Sequence, residues 1–415
     1  MREKRQFVAV TGIGMICPLG ISAPECWENM VKGKSGIRRI TRFDPSDCLT
    51  QIAGELPENY FQMEKEALTR RVFKRSILPS RLAILSARQA VHDADLREED
   101  LKGKNVGVIS GCGGSTFGDQ MIFNDEKNKR FVFSHEMLNA LSACVSIEFG
   151  LKGISFNVAT ACASGAFAVG LGYDYVIRSG EMCIALGIDT MVHKDTIDGF
   201  NRLLALSENN REPEKASRPF DKNRSGFVLS EGACAVILEP YERAVDRGVD
   251  IYALISGVGN CSEAFNIIAP QPDGEGMARA MELAIDHSGI SKEKIGYINA
   301  HGTSTPHNDR AETNAIKTVF GDRAMEIPVS SQKSMIGHSI GAAGAIEFGV
   351  TALSLHHGIL TPTINYEVPD PECDLDYVPN EARKVEHLVA AITNSFGFGG
   401  HNCCIVLENR NALMN

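Results

Sequence analysis

The chain repeats its own plan, and this internal duplication limits the folds available to it more than any other feature of its sequence. Four segments of the first half match four segments of the second half in the same order. Short apolar runs alternate with helical patterns in both halves, which predicts two α/β units with mostly parallel sheets, packed on each other. The matched pairs are Val8–Gly14 with Ala253–Gly259, Val106–Cys112 with Ile295–His301, Cys162–Gly165 with His338–Gly341, and Cys234–Glu239 with Cys403–Glu408.

The boundary between the two units is predicted near residue 250, which gives an N-terminal half over 1–250 and a C-terminal half over 251–415. The first two matched segments begin about 98 residues apart in the first half and about 42 residues apart in the second. The extra stretch of the first half, roughly residues 15–100, is therefore expected to supply a lid, a pocket wall or oligomer contacts.

Composition excludes several classes of protein. A length of 415 residues with 43% hydrophobic content is enough for one large core or two fused cores, and the net charge of -10 argues against a nucleic-acid partner. No apolar run approaches the ~20 residues that span a bilayer, and no signal-peptide core follows the first residues, so we expect a cytoplasmic protein without a membrane segment. None of the twelve cysteines is spaced as Cys-x-x-Cys, which predicts reduced, mostly buried thiols.

One cysteine has a setting that suits a nucleophile. Cys162 lies in Asn157–Gly165 (NVATACASG), where an apolar strand is predicted to turn directly into an apolar helix. The first turn of a helix favours a thiolate through its dipole and its free N–H groups, so we expect a lowered thiol pKa. A free cysteine is more often a small buried hydrophobe, but the small neighbours and the duplicated turn favour the nucleophile here.

Two histidines lie in equally distinctive glycine-rich segments, His301 in His301–Pro306 (HGTSTP) and His338 in Lys333–Gly341 (KSMIGHSIG). The repeat predicts that Cys162 and His338 occupy equivalent strand-to-helix turns, which a pseudo-twofold axis would bring face to face, with His301 in the same layer. Either histidine alone is as often structural. Two neutral imidazoles that donate N–H bonds to one carbonyl oxygen would stabilise an enolate, which predicts thioester chemistry with carbon–carbon bond formation.

A third glycine-rich element, Asn394–Gly400 (NSFGFGG), follows the predicted strand Ala390–Thr393. Its glycines allow unusual backbone angles, and a free N–H there would complete an oxyanion hole beside Cys162. Phe398 is a candidate for a movable plug. The alternative is an ordinary glycine turn, which this motif alone does not exclude.

Together these segments resemble a β-ketoacyl-[acyl-carrier-protein] synthase of the elongating type, a member of the thiolase superfamily. The resemblance implies a thiolase fold, with two pseudo-duplicated βαβαβαββ halves that form a five-layered α-β-α-β-α core. The nucleophilic cysteine would lie in the first half and two catalytic histidines in the second. The resemblance runs from Val8 to about Glu408 and is carried by Thr160–Gly165, Pro213–Asp221, Asp273–Gly276, His301–Pro306, Asn308–Asp309, Lys333–His338 and Asn394–Gly400.

The resemblance also implies a role for each catalytic residue. Cys162 would be acylated by a carrier-bound acyl group, with its own N–H and that of Phe398 as the oxyanion hole. His301 and His338 would bind the malonyl thioester carbonyl, promote decarboxylation and hold the enolate. Lys333 would support the His338 side of the site electrostatically, and Phe398 would gate the acyl tunnel.

Further residues are implied around this centre. Asp309 and Glu312 would belong to the surrounding polar network. Thr303 and Thr305 would hydrogen-bond the amides of a phosphopantetheine arm that arrives on the carrier protein, so that neither a metal nor an organic cofactor is expected. Other substrate contacts are implied at Cys112, Phe396 and Gly399.

The implied partner is an acyl carrier protein. Because carrier proteins are acidic, a basic rim is expected despite the net negative charge of the chain. Any one basic residue is equally well a solvated surface charge. The candidate docking residues are Lys74, Arg75, Arg130 and Arg202.

The pathway stays open. Cys112 stands where long-chain synthases commonly have isoleucine, and Phe227–Gly232 and Asn308–Arg310 resemble ketosynthase subunits of type II polyketide systems. The chain is thus a homodimeric fatty-acid elongating synthase or the catalytic subunit of a type II polyketide synthase, paired with a related chain-length-factor-like partner. A non-catalytic partner subunit is disfavoured because the cysteine and both histidines are present. A degradative thiolase is disfavoured because Asn394–Gly400 offers no second cysteine.

Overall fold

A computed structural model describes residues 6–114, 134 and 137–410 of the chain. The strands are β1 Val8–Ile16, β2 Arg38–Arg39, β3 Ile52–Ala53, β4 Gly107–Gly111, β5 Ser155–Val158, β6 Cys183–Thr190, β7 Glu231–Pro240, β8 Ala253–Ser262, β9 Ile295–Asn299, β10 Val329–Ser330, β11 Ile359–Leu360, β12 Arg383–Lys384, β13 Ala390–Gly397 and β14 His401–Glu408.

The α-helices are α1 Ala23–Val31, α2 Glu58–Ala67, α3 Arg70–Arg75, α4 Leu78–Asp93, α5 Glu98–Leu101, α6 Ala140–Phe149, α7 Ser164–Ser179, α8 Lys194–Arg202, α9 Tyr241–Arg247, α10 Glu275–Ser288, α11 Pro306–Phe320, α12 Lys333–Ile336 and α13 Ala343–His357. Short 3₁₀ turns lie at Ala161–Ala163, Pro213–Lys215, Lys292–Lys294, Gly321–Glu326 and Ile340–Ala342.

One ten-stranded sheet carries the duplication. From its centre outward, β1, β7, β6, β4 and β5 in one half correspond to β8, β14, β13, β9 and β10 in the other. The halves join where Val8–Val10 pair antiparallel with residues 253–255. The prediction of mostly parallel sheets is wrong for the central strands: only the outer three strands of each half run parallel, because β7 and β14 return antiparallel beside β1 and β8.

Helices separate and flank the two halves of the sheet. Helices α7 and α13 contact strands of both halves and form the middle layer. Helices α4 and α6 cover the outer face of the first half, while α10, backed by α11, covers the outer face of the second. The layers therefore follow the order α-β-α-β-α that the resemblance implies.

The two middle helices touch at their N-terminal ends through glycines. A Cβ on Gly165 would lie 2.7 Å from the backbone nitrogen of Ala345, and a Cβ on Gly344 would lie 2.7 Å from the backbone nitrogen of Ala166. No real Cβ makes such contacts, so a side chain at either position would push the helices apart. This close approach brings together the two turns that precede the helices.

The turns themselves correct the predicted register of the repeat. Each is a 3₁₀ turn that leads directly into a middle helix, and each begins with a residue of positive φ, Ala161 at 48° and Ile340 at 45°. Cys162 therefore corresponds to Gly341, three residues beyond His338. The sequence comparison matched the two segments on their following glycines, whereas the turn geometry sets the equivalence. The two turns are equivalent, as predicted, but Cys162 and His338 do not occupy equivalent positions in them.

The extra stretch of the first half forms α1 to α5 and the short strands β2 and β3. Its Ile40 and Ala53 belong to the same apolar cluster as Cys162, but no residue of the stretch is among those that line the cavity described below. None of the twelve cysteines, all of which are among the described residues, forms a disulfide, and most are buried. Within 6–114 and 137–410, no helix is both long and apolar enough to cross a membrane.

Candidate active site

Cys162, His301 and His338 line one cavity of about 180 Å³. The cysteine sulfur and one nitrogen from each ring lie within 4.8 Å of one another. All three side chains are buried, and the two rings meet edge to face with centroids 5.4 Å apart. The structure therefore brings together residues that are far apart in the sequence.

The backbone is strained next to each of these residues. Ala161 precedes Cys162, Ser304 follows His301 in the same loop, and Ile340 follows His338; their φ angles are 48°, 68° and 45°. Side chains beyond glycine avoid this left-handed region, and such strain gathers at functional sites. The strain marks the same three turns that the sequence singles out.

Burial controls the ionisation of Cys162. It raises the thiol pKa to about 11, although the N–H groups of Phe398 and of Cys162 itself and the charge of Lys333 act in the opposite direction. The predicted lowering of this pKa by the helix N-terminus is therefore wrong, because loss of hydration outweighs the dipole. The resting residue is a neutral thiol whose sulfur already faces two backbone donors.

Both histidines are neutral hydrogen-bond donors toward the cavity. Burial, with the Lys333 charge, lowers the pKa of each ring well below its ordinary value. The Lys333 ammonium lies 3.4 Å from Nδ1 of His301, and the backbone N–H of Ile340 donates to Nδ1 of His338 over 3.3 Å. Since both neighbours can only donate, each Nδ1 accepts, and the remaining proton is on Nε2. A carbonyl oxygen can accept hydrogen bonds from both Nε2–H groups. A metal ion would instead need a lone pair on each Nε2 atom.

Lys333 contacts His301 directly, and its charge also lowers the pKa of His338, the side of the site that the resemblance assigned to it. Its ammonium donates to the His301 carbonyl oxygen over 2.6 Å and forms a buried ion pair with Glu347. Glu347 was missed in the sequence. The available signal was its position as the single charged residue in the apolar run Ile340–Leu355, because a charge buried in a helix of this kind is normally paired.

Glu312 fixes the loop that carries His301. Its two carboxylate oxygens accept the N–H groups of His301 and Gly302, each over 2.8 Å, and Asn394 donates to the same carboxylate over 3.2 Å. Burial nevertheless raises the Glu312 pKa to about 7. Asp309, also buried, accepts the Phe220 N–H over 2.8 Å and pairs with Arg224 over 3.6 Å. Glu312 therefore acts on His301 through the backbone of its loop.

The glycine-rich loop closes one side of the cavity. The ring of Phe398 lines the cavity 6.5 Å from the ring of Phe200, and Phe396 packs edge to face on His301. A Cβ on Gly397 would lie 2.6 Å from the carbonyl oxygen of Thr160, so only glycine lets the loop approach the cysteine turn this closely. Gly399 is not among the cavity-lining residues; its N–H donates to Ile267 instead.

Of the remaining predicted substrate contacts, some line the cavity and one does not. Thr303 and Thr305 line the cavity, and their hydroxyls hydrogen-bond each other over 2.9 Å. Cys112 is not among the lining residues: its sulfur lies 3.6 Å from Asp189, which also accepts the Gly341 N–H over 2.8 Å. Cys112 thus contacts the anchor of the turn after His338, because β4 ends beside that turn.

The predicted docking residues are found at the surface where they are described. Lys74 and Arg75 are exposed on α3, and Arg202 is exposed at the end of α8, directly before the cavity-lining Leu203. Arg130 lies outside the described residues. Of the three described candidates, only Arg202 adjoins a residue that lines the cavity.

The raised thiol pKa predicts how Cys162 reacts in the free protein. Below its pKa of about 11 the thiolate fraction rises with pH, so the rate of alkylation by iodoacetamide should increase about tenfold between pH 8 and pH 9. Peptide mass analysis of the Cys162 peptide measures this rate, and C162S identifies the modified site. A rate that stays constant from pH 6 to pH 9 would indicate a thiolate–imidazolium pair and contradict the prediction.

Two family models match most of the chain. The family model described as beta-ketoacyl synthase, N-terminal domain, matches residues 5–244, and the model described as beta-ketoacyl synthase, C-terminal domain, matches residues 252–367. The chain belongs to the beta-ketoacyl synthase family. Two proteins named 3-oxoacyl-[acyl-carrier-protein] synthase 2 are similar to this chain over nearly its whole length.

The relative from Coxiella burnetii is 40% identical over 414 residues, which cover 98% of this chain and 99% of the relative. The relative from Synechocystis is also 40% identical, over 420 residues that cover 98% of each chain. Similarity over almost the full length means that both halves of this beta-ketoacyl synthase, with the extra stretch of the first, are shared with these proteins.

Solved structures give the same result for the fold. A ketosynthase solved with its type II polyketide synthase acyl-carrier protein and bound to a hexaketide aligns with a TM-score of 0.88 at 30% identity, covering 98% of this chain and 100% of that one. The ishigamide ketosynthase/chain length factor aligns with a TM-score of 0.88 at 32% identity and the same coverage. The five-layered fold is thus the thiolase fold of ketosynthases.

Proposed function

We propose that this chain is a β-ketoacyl-[acyl-carrier-protein] synthase that joins an acyl group on Cys162 to a malonyl group on a carrier protein, with loss of carbon dioxide, in type II fatty acid synthesis. The observation that carries the proposal is the convergence of one buried thiol, two backbone donors and two Nε2–H donors in a single cavity. The two sets of donors suit two different oxyanions, which is what a two-step condensation requires.

In the first step the Cys162 sulfur attacks the acyl thioester of the carrier. The sulfur–carbon bond forms, the thiol proton leaves, and the bond to the carrier's thiol breaks, with that thiol taking up a proton. The N–H groups of Cys162 and Phe398 already point at the sulfur, so they are close to the oxyanion of the tetrahedral intermediate. Because the thiol is neutral at rest, its proton must be transferred as the sulfur attacks.

In the second step the malonyl carrier loses carbon dioxide. The electron pair of the broken carbon–carbon bond forms an enolate, whose oxygen accepts the Nε2–H groups of His301 and His338. The enolate carbon then attacks the acyl carbonyl, and the Cys162 thiolate leaves and is protonated. Neutral rings suit this step, because Nε2–H stabilises the enolate without giving up its proton.

The partners follow from this chemistry. An acyl carrier protein is proposed to bring both thioesters on phosphopantetheine, with Thr303 and Thr305 as partners for its amides. No resident metal or organic cofactor is proposed. We further propose a cytoplasmic protein that acts as a homodimer, like other elongating synthases of the family that the sequence resembles.

A second candidate is the catalytic subunit of a type II polyketide synthase. The observation in its favour is the alignment with two ketosynthases of this kind, one solved with its acyl-carrier protein and the other a ketosynthase/chain length factor. In that case the working form would be a heterodimer with a chain-length-factor-like subunit.

One experiment tests the reaction and separates the pathways. The purified protein is mixed with acyl and malonyl carrier proteins without a reductase, and the carrier-bound products are measured by intact mass. A single two-carbon addition supports fatty acid elongation, whereas successive additions support the polyketide subunit. Failure of the protein to form a condensation product, either alone or with candidate partner subunits, would contradict the proposed function.

A further inference from the structure

Asp189 is a buried acid that the mechanism above does not use. It lies near the end of β6, and its side chain is fully buried. One of its carboxylate oxygens accepts the N–H groups of Gly113, over 2.9 Å, and of Gly341, over 2.8 Å. Gly113 follows β4 in the first half of the chain, and Gly341 belongs to the turn after His338 in the second half. Asp189 therefore joins one turn from each half.

Both partner positions accommodate this carboxylate because they are glycines. A Cβ on Gly341 would lie 2.6 Å from the accepting oxygen of Asp189, and a Cβ on Gly113 would lie 2.9 Å from the same oxygen. The two backbones also meet, since a Cβ on Gly341 would lie 2.3 Å from the Gly113 nitrogen. Real Cβ atoms do not make such contacts. We name the three residues Asp189, Gly113 and Gly341 the carboxylate clamp.

The carboxylate clamp holds a strained residue, Ile340. Its φ of 45° lies in the left-handed region, which a β-branched side chain strongly disfavours. Strain of this kind persists only where the surrounding contacts fix it. The peptide bond from Ile340 to Gly341 supplies the N–H that Asp189 accepts, so the clamp holds the backbone directly after the strained residue.

The strained residue in turn places the ring proton of His338. The Ile340 N–H donates to Nδ1 of His338 over 3.3 Å, which leaves the proton on Nε2. The rest of His338 is held independently, because its N–H donates to the Val228 carbonyl oxygen over 2.7 Å and its ring packs edge to face on Phe227. Within the described residues Nε2 has no protein partner, so its N–H is available to an oxyanion in the cavity.

The His301 loop has a similar arrangement. Glu312 accepts the N–H groups of His301 and Gly302, and Lys333 faces Nδ1 of the His301 ring. Each histidine thus has a buried carboxylate that fixes its loop and a donor at Nδ1. For His338 that donor is a backbone N–H, so its position depends on the conformation of the turn.

We propose that Asp189 is a positioning residue for the condensation: it fixes the turn of Ile340 and thereby keeps the ring proton of His338 on Nε2. The inference rests on the proposed function, since it assigns that N–H to the enolate oxygen. It also gives Cys112 a place, because its sulfur lies 3.6 Å from the second oxygen of Asp189 and is not among the groups that line the cavity.

Two substitutions separate the hydrogen bonds of Asp189 from its charge. In D189N the amide oxygen can replace the accepting oxygen, with the NH2 group toward Cys112, so the carboxylate clamp keeps its hydrogen bonds without the charge. In D189A both glycine N–H groups lose their acceptor. If D189A does not fold, D189S takes its place, because the serine hydroxyl still accepts one N–H group.

The first measurement is carbon dioxide release from malonyl carrier protein. In D189A the kcat should fall about 10²-fold, the effect of losing one preorganised donor. The KM for malonyl carrier protein should stay within about threefold, because the loss concerns the transition state. In D189N the kcat should stay within about fivefold of the unaltered protein, because the acceptor is retained.

The second measurement is the position of the His338 proton, which a purely structural role of Asp189 would not change. In protein labelled with 15N-histidine, protonated and unprotonated ring nitrogens differ in chemical shift, and the signals that are missing from H338N belong to His338. The unaltered protein and D189N should carry the proton on Nε2, whereas D189A should show both tautomers. The signals of His301 should not change.

The matched control is E55A. Glu55 is also a buried acid, and its carboxylate accepts the N–H groups of Thr41 and Arg42, each over 3.1 Å. It is not among the residues that line the cavity. E55A should lose stability in urea unfolding as D189A does, because buried N–H groups are left without an acceptor. It should leave the His338 tautomer unchanged and carbon dioxide release within about twofold.

Three results would overturn the inference. The first is a proton on Nδ1 of His338 in the unaltered protein, a result that needs no variant to fold. The second is full carbon dioxide release by folded D189A, and the third is an equal loss in D189A and D189N, which would assign the effect to the buried charge. Failure of the proposed function is a separate result, because then the unaltered protein releases no carbon dioxide while its ring shifts still report the tautomer.

Discussion

Replacing Cys162 by alanine is expected to reduce condensation by about 10³-fold or more, the range in which loss of an enzyme's nucleophile falls. Without the sulfur no acyl-enzyme forms, so the intact protein should show no mass increase after incubation with acyl carrier protein. The substitution removes one buried sulfur at the start of a turn, and the hydrogen bonds of His301, His338 and Lys333 remain. Decarboxylation of malonyl carrier protein should therefore persist, measured as carbon dioxide release.

C144A is the matched control for this experiment. Cys144 is a partly buried cysteine on α6 and is not among the residues that line the cavity. It should retain both acylation and condensation. If C162A condenses at an unchanged rate, Cys162 is not the nucleophile of the proposed function. If decarboxylation falls as much as condensation, the two steps do not separate as the geometry indicates.

The sequence was sufficient to predict the layered fold and the meeting of the three catalytic side chains. The repeat predicted two copies of one α/β unit, and glycine-rich segments after apolar runs marked the ends of strands, whereas the five-layered order was implied by the resemblance to ketosynthases. Cys162 and the turn after His338 meet because Gly165 and Gly344 let two helices touch, and those glycines are visible in the sequence. The strand directions of β7 and β14 were not predicted, since an apolar run has the same pattern in either direction.

The electrostatics of the site were harder to predict. The helix N-terminus beside Cys162 suggested a lowered thiol pKa, yet the pKa is raised to about 11 because the sulfur is buried among apolar groups. The extent of burial depends on packing between elements that lie far apart in the sequence. The same limit applies to Lys333, whose partner Glu347 lies on the next helix and whose contact with His301 crosses from α12 to the loop after β9.

The Lys333–Glu347 pair gives the second large expected effect. Both side chains are buried, and removing one partner leaves an uncompensated charge in the core. K333M should therefore lower the free energy of unfolding by about 3–5 kcal/mol, measured by urea unfolding. In K333M/E347L both charges are gone and apolar groups fill the space, so most of that free energy should return, and the double variant is the matched control for folding.

Catalysis should not return with stability. In the double variant no cation faces Nδ1 of His301, so a fraction of the molecules carries the ring proton on Nδ1. These molecules have no Nε2–H group to donate to the enolate. We expect decarboxylation of malonyl carrier protein to fall about 10²-fold, the effect of losing one preorganised donor. Acylation of Cys162 should be affected less, because its two backbone donors are unchanged. Recovery of both stability and decarboxylation in K333M/E347L would show that Lys333 only balances Glu347, whereas recovery of stability alone would assign Lys333 to the positioning of the His301 proton.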